Sequence, residues 1–187
     1  MTVPDFSEPQ MHDDREDDSN HSAGRADRPQ RVDARIPRIR RAVPDEAADL
    51  CALAVRSREQ SAIIHNIAIT PRPELTTVST ELIFAGQVFV IECDDRLIGF
   101  CSLAFGPGSA ELCQCFVDPD FFSQSFGRLL WSYSLRELRR HYPRVKRLFV
   151  ISDRSSRGFF ERCGARRIGY ASGLLPRMVY EIQEPRV

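Results

Sequence analysis

The sequence predicts an α/β fold, a single domain with a mixed, mostly antiparallel sheet flanked by helices. Three observations predict it. Two extended runs, Gln87–Cys93 and Arg96–Phe105, are separated only by Asp94-Asp95, a pair suited to a tight hairpin turn. A strand-like run at Ser109–Val117, a helix-like run over 126–142 and a second strand-like run at Arg147–Ile151 form one strand–helix–strand crossover. The composition, 42% hydrophobic and 28% charged, is that of a globular domain.

The elements follow in order. Ile36–Val43 reads as a first strand, and Pro44-Asp-Glu-Ala opens a helix, because proline and acids both suit a helix's first turn. Leu50, Leu53 and Ala54 give that helix its apolar stripe. Residues 60–76, with Pro71 and Pro73, read as irregular, and a short helix is expected over 77–85. After the hairpin, Gly106-Pro-Gly108 makes a turn into Ser109–Val117. In the helix over 126–142, Trp131, Leu135, Leu138 and Tyr142 fall on one face, a core stripe that ends at Pro143. A short helix is expected over 155–163, with Gly164 as its left-handed C-terminal residue. The last two strands are expected at 165–170 and 178–182.

Charge is formally balanced but unevenly spread. Residues 1–35 carry nine acidic and five basic side chains, leaving the remainder with 17 and 21. The first 35 residues hold few large aliphatics, so they are expected to be a disordered acidic tail preceding one domain over 36–187. A modest positive excess on that domain suits a small anionic ligand. It falls short of the basic face expected for nucleic acid. The arginines at 136, 139, 140, 144 and 147 with Lys146 read as a solvated helix face. None of the six cysteines sits in a zinc-like spacing, so no metal is expected. No apolar run approaches the ~20 residues of a membrane span, and no secretory signal is visible, so a cytoplasmic protein is expected.

The chemistry concentrates where the strand ending at Val117 feeds, through a short loop, a helix starting near Phe126. A loop at a helix N-terminus presents unpaired N–H groups and a positive dipole end, which together suit an anion. The run Phe122-Ser-Gln-Ser-Phe-Gly127 resembles the acetyl-CoA loop of the GNAT superfamily of N-acetyltransferases, usually Arg/Gln-x-x-Gly-x-Gly/Ala. Gly127 is retained, Ser125 replaces the first glycine and Phe122 the Arg or Gln. Phe159-Phe-Glu-Arg-Cys-Gly-Ala165 is similar to the family's closing helix. Ser172-Gly-Leu-Leu-Pro-Arg-Met178 resembles a loop of one of its branches, and Ile39-Arg-Arg-Ala-Val-Pro-Asp-Glu-Ala47 a common opening. The resemblance spans about 36–183.

It implies an acyl-CoA-dependent N-acyltransferase, with acetyl-CoA as donor and a small-molecule or protein amine as acceptor. Transfer would be direct, without metal, nucleic acid or membrane, and a homodimer is one assembly such a chain could take. The resemblance implies donor contacts from Cys115, Phe116 and Val117 on the strand and from Ser123, Gln124, Ser125, Phe126, Gly127 and Arg128 on the loop and helix. Further on, Ser155 and Phe160 would also touch the donor. Glu111 is the candidate general base, counted onto one strand face with Cys113 and Cys115 by alternation. An ordinary surface glutamate is the competing reading. His65 falls in the region that often lines the acceptor pocket, and reads as structural or solvated. Phe160 stands where the family commonly carries Tyr and has no proton to give, leaving water, Ser155, Ser156 or Tyr170 as acid. These departures keep open a second reading, a degenerate or repurposed GNAT fold that binds acyl-CoA as sensor or scaffold.

The composition of residues 1–35 generates one prediction. A chain beginning at Ile36 is expected to melt within a few degrees of the full-length protein and to bind acetyl-CoA equally. Thermal melts of the two chains check this.

Overall fold

The computed structural model describes residues 36–171 and 175–182, so the 1–35 tail and part of the Ser172–Met178 loop lie outside the described residues. Seven strands form one sheet in the order β1-β2-β3-β4-β5-β7-β6. They are β1 (Arg38–Arg41), β2 (Val88–Cys93), β3 (Arg96–Gly106), β4 (Ser109–Val117), β5 (Arg147–Ile151), β6 (Arg166–Ala171) and β7 (Leu175–Glu181). Every neighbouring pair is antiparallel except β4 and β5, which are parallel. The parallel pair is the crossover the sequence predicts, since the chain must return over one face through α4 (Phe126–His141).

Two apolar layers hold the sheet. On one face, Leu50, Leu53 and Ala54 of α1 (Ala47–Ile64) pack with Val88, Val90 and Phe100, and Ile83 of α3 (Thr80–Phe84) closes the layer. On the other, Leu130, Trp131, Leu135 and Leu138 of α4 pack with Leu103, Leu112, Leu148 and Met178. Phe160 of α5 (Arg157–Arg162) joins this second layer. Tyr142 does not complete the α4 stripe as expected. It falls outside the helix and stacks on Phe105 with ring centroids 3.9 Å apart, leaving it 39% exposed.

The hairpin turn is as read: Asp94 and Asp95 both take positive φ, 53° and 59°, as a two-residue turn of that hand requires. Gly164 likewise ends α5 at φ 91°. The region after α1 differs. No glycine or proline interrupts the chain before Pro71, so α1 runs on to Ile64 and stops where Asn66 turns left-handed at φ 50°. Pro73 then opens a single helical turn, α2 (Pro73–Thr76). The closing strand β7 begins at Leu175, three residues earlier than expected, because its pairing with β6 extends to Ala171↔Leu175.

Between β3 and β4 the ladder slips by one residue. Ser102 faces Gln114 and Leu103 faces Leu112, so Cys113 is an extra residue without a partner on β3. Side-chain alternation resets there. Leu112 and Cys115 both pack toward α4, while Gln114 reaches α2 on the opposite face. Glu111 therefore shares the α1-side face with Gln114, not the face of Cys115. Counting by twos through Cys113 assigned it to the wrong side.

Gly99 lies where β3 meets the end of β4. A Cβ there would stand 2.6 Å from the Phe116 carbonyl oxygen, a backbone atom that cannot swing aside. Gly99→Ala is expected to destabilise the protein by ~1–3 kcal/mol, the usual range for overpacking. At ~2–4 °C per kcal/mol for a chain of this size, a melt would read a loss of several degrees.

Candidate active site

The parallel pairing of β4 and β5 covers only Ser109–Leu112 against Arg147–Val150. β4 continues to Val117, whereas Ile151 ends β5 and pairs only with β7. A cleft of about 570 Å³ opens between the diverging strands. Its edge is made by backbone. The Asp118 N–H donates to the Ile98 carbonyl at 2.7 Å, which fixes the phase of the β3–β4 ladder. By alternation, Phe116 and Gln114 aim their backbone groups at β3, and Cys115 and Val117 aim theirs into the gap.

Asp118 anchors the loop that follows. Its buried carboxylate accepts from Arg56 Nη2 at 3.1 Å, Arg96 Nη2 at 3.4 Å and the Asp120 N–H at 3.1 Å. The Arg96 guanidinium also lies over the Phe121 ring, 4.8 Å from its centroid. The loop is thus tied to α1 and β3 before it turns. Ser123 and Ser125 then both adopt left-handed backbone, φ 63° and 68°, the conformation for which glycine is favoured. Ser125 caps α4, whose first turn carries no acidic side chain and whose last turn carries Arg139, Arg140 and His141. The N–H groups of Phe126, Gly127 and Arg128 have no helical acceptor, so the positive end of α4 is left for an external anion. Gly127 packs close, with an added Cβ meeting the Phe159 ring at 3.4 Å.

Most of the sequence-predicted donor residues meet in this one cleft. Cys115, Phe116, Val117, Ser123, Ser125, Gly127, Arg128, Ser155 and Phe160 line it. Gln124 and Phe126 do not: the Gln124 amide donates to the Asp120 carbonyl at 3.2 Å, and the Phe126 ring sits edge-on to Phe121 at 5.8 Å. Glu111 also stands outside the lining, between Ala104 on β3 and Phe149 on β5. Phe160 is at once floor and core, 5% exposed and packed on Trp131 (5.7 Å) and Phe159 (5.0 Å). Of the alternative acids, Ser155 and Ser156 line the cleft, while Tyr170 is 56% exposed outside it under Arg167.

Three contributions go beyond the sequence reading, which took His65 as structural or solvated and gave Gln114 and Arg58 no role. His65 lines the cleft, and its Nδ1 lies 2.7 Å from the Ser61 carbonyl. A carbonyl only accepts, so Nδ1 carries a proton, and in the neutral ring the lone pair is on Nε2. Gln114 is buried, accepting from Ser102 Oγ at 3.0 Å and donating to the Leu75 and Thr77 carbonyls at 3.3 and 3.0 Å, which fastens α2 to β4. Arg58 of α1 pairs with Asp153 after β5, Nε to Oδ2 2.8 Å. Only His65 offered a sequence signal, as a titratable residue after the first helix.

The cleft thiols are not activated. Burial pushes Cys113 up to about 11, helped by the Glu111 carboxylate, and burial raises Cys115 well above the usual thiol range. Burial also raises Cys163, against the Arg128 and Arg162 guanidiniums that pull it down. A protonated thiol is a poor nucleophile. Among the described residues no activated cysteine nucleophile lines the cleft.

A mixed sheet that splays at its single parallel pair, with a helix N-terminus facing the splay, defines an α/β domain of the acetyltransferase class. Residues 50–165 match the acetyltransferase (GNAT) family, and the chain belongs to it. No curated protein matches the sequence. Among solved structures the chain is similar to the PaiA N-acetyltransferase of Thermoplasma acidophilum in complex with coenzyme A. The two are 17% identical over 78% of this chain and 99% of that one, with a TM-score of 0.65. It is also similar to N-acetylglutamate synthase of Neisseria gonorrhoeae complexed with coenzyme A and N-acetyl-glutamate. That match is 18% identical over 80% of this chain and 36% of that one, TM-score 0.62. For the ribosomal-protein-S18-alanine N-acetyltransferase of Escherichia coli the values are 16% identity, 81% and 97% coverage and a TM-score of 0.56. These likenesses establish the fold.

Two predictions arise from the site. A β-branched residue at φ 68° is strained further, so Ser125→Val is expected to lower the melting temperature, and Ser125→Gly is not. Thermal melts of both variants decide it. The second concerns the thiols: thiolate at Cys113 gains population only as pH approaches about 11, so mass spectrometry at pH 7 should find no acetyl group on Cys113 or Cys115 after mixing with acetyl-CoA.

Proposed function

We propose that the protein is an acetyl-CoA-dependent N-acetyltransferase that moves the acyl group directly to a bound amine. The observation that carries the reading is the gap between β4 and β5, with backbone groups of Cys115 and Val117 at its edge and the open N-terminus of α4 at its end. The residues fit such a donor. The N–H groups of Ser123 and of Ser125 to Arg128 would hold the pyrophosphate, reinforced by Arg128 and Arg162, both of which line the cleft; the Gln124 N–H is taken by the Phe121 carbonyl. The Cys115 and Val117 backbones would hold the pantetheine arm and polarise the thioester carbonyl. Ser125 keeps the left-handed backbone the loop needs, which supports retention of donor binding despite the missing glycine.

The acceptor would enter from the α1 side, between Ser61 and Ile64 on α1, His65 just after it and Leu75 on α2. An ammonium must lose a proton before its nitrogen can attack. His65 lines the cleft with Nε2 free, and Glu111 does not line it, so this proton is assigned to His65 Nε2. The leaving thiolate takes its proton from water or from Ser155, since Ser156 Oγ donates to the Asp153 carbonyl at 3.2 Å. Free thiols ionise near ~8.5, so a thiolate leaves tolerably at neutral pH even over Phe160. All six cysteines are free, which fits a reducing compartment and supports a cytoplasmic location. No helix among the described residues is long and apolar enough to cross a membrane.

Calorimetric titration with acetyl-CoA, followed by transfer assays against an amine panel, tests the reading. No binding at millimolar concentration overturns it. Binding without transfer to any amine supports the sensor or scaffold alternative. If transfer occurs, His65→Gln is expected to lower it by ~10²-fold, in the range of general-base removal, and Glu111→Gln to change it only a few-fold. The reverse order would return the role to Glu111.

A further inference from the structure

Resting on the transferase reading, we propose that Arg58 is a specificity-determining residue: by neutralising Asp153 it restricts the acceptor to monoamines with an apolar body and excludes polycationic amines. Among the described residues, the arginine and carboxylate side chains lining the cleft are Arg58, Arg128, Arg162 and Asp153, so a single carboxylate faces three guanidiniums. That carboxylate is already engaged. Arg58 reaches from α1 to the turn after β5, 95 residues away, and its Nε lies 2.8 Å from Asp153 Oδ2. The pair is sheltered, with side chains only 11% and 22% exposed, and Arg58 Nη2 also donates to the Thr70 carbonyl at 3.1 Å. Breaking it to free Asp153 would strand a partly buried guanidinium.

The consequence falls on acceptors with more than one positive charge. An attacking amine gives up its own proton and is neutral when it reacts, so it needs no carboxylate. A second ammonium stays charged and finds no unengaged acid side chain in the lining. Ile64 and Leu75 instead offer apolar contact to the body of a monoamine. Arg128 and Arg162 leave this balance in place, because the phosphates of the donor answer them.

The test compares kcat/KM for acetyl transfer to 2-phenylethylamine and L-phenylalanine amide with that for spermidine, in wild type, Arg58→Met and Arg58→Met/Asp153→Asn. The wild type is expected to favour the monoamines by about tenfold or more, the scale of one charged hydrogen bond. In Arg58→Met the freed Asp153 should lower KM for spermidine by a similar factor and close the gap, with KM for acetyl-CoA unchanged. The double variant should lose that gain. Should Arg58→Met melt far below wild type, Arg58→Gln takes its place. A wild type that prefers spermidine, or a ratio unmoved by both Arg58 variants, overturns the proposal. Acetyl-CoA binding without transfer to any of the three amines overturns it too, and is distinguishable because it removes the transferase reading itself.

Discussion

β4 and β5 share hydrogen bonds over four residues each and then part, and the rest of the site depends on that parting. In a closed sheet the backbone groups of Cys115 and Val117 would be paired and unavailable. Because β5 ends at Ile151 and pairs on its other side with β7, they face an open gap. The same divergence gives α4 room to begin at the mouth of the gap, so that backbone donors on a strand edge and a helix end converge on one volume. A ligand there meets main-chain groups whose position is set by the sheet itself.

The loop between β4 and α4 is the costly part of this arrangement. Two serines sit in left-handed backbone, a conformation that costs an L-residue roughly 1–2 kcal/mol. The cost is tolerated because the loop's start is clamped. Asp118 is buried between Arg56 and Arg96, and Phe121 is covered by the Arg96 guanidinium and abutted by Phe126. With its start held by Asp118 and Phe121 and its end by α4, the loop between them is short and constrained. Glycine would take the same path with less strain, and Ser125 keeps the left-handed backbone at φ 68°.

The α1 side of the cleft is built by different means. Gln114 ties α2 to β4, and the Arg58–Asp153 pair ties α1 to the turn after β5. Both join segments distant in sequence through buried or half-buried polar contacts. Such contacts weigh heavily because a buried partner left alone would cost more than the bond itself contributes. The two ends of the cleft thus differ in character: backbone and helix dipole at the α4 end, side-chain bridges at the α1 end.

Local chemistry in the sequence was enough to determine the hairpin at Asp94-Asp95, the left-handed Gly164, the core stripe of α4 up to Leu138 and the strand–loop–helix carrying the anion site. Each depends on residues within a few positions of one another, where turn conformation, periodicity and capping are read directly. The length of α1 was obscured by prolines that lie beyond its end. The face of Glu111 was decided by a one-residue slip at Cys113, and a slip is a relation between two strands that neither records by itself. The same holds for His65, Gln114 and Arg58, whose partners or place in the cleft depend on how α1 and α2 settle on the sheet. The sequence by itself determined most of the elements and the strand–loop–helix after β4, because those follow from short-range backbone preference. Only the tertiary structure decided which side chains line the α1 end of the cleft, because that follows from register and from contacts such as Arg58 to Asp153, 95 residues apart.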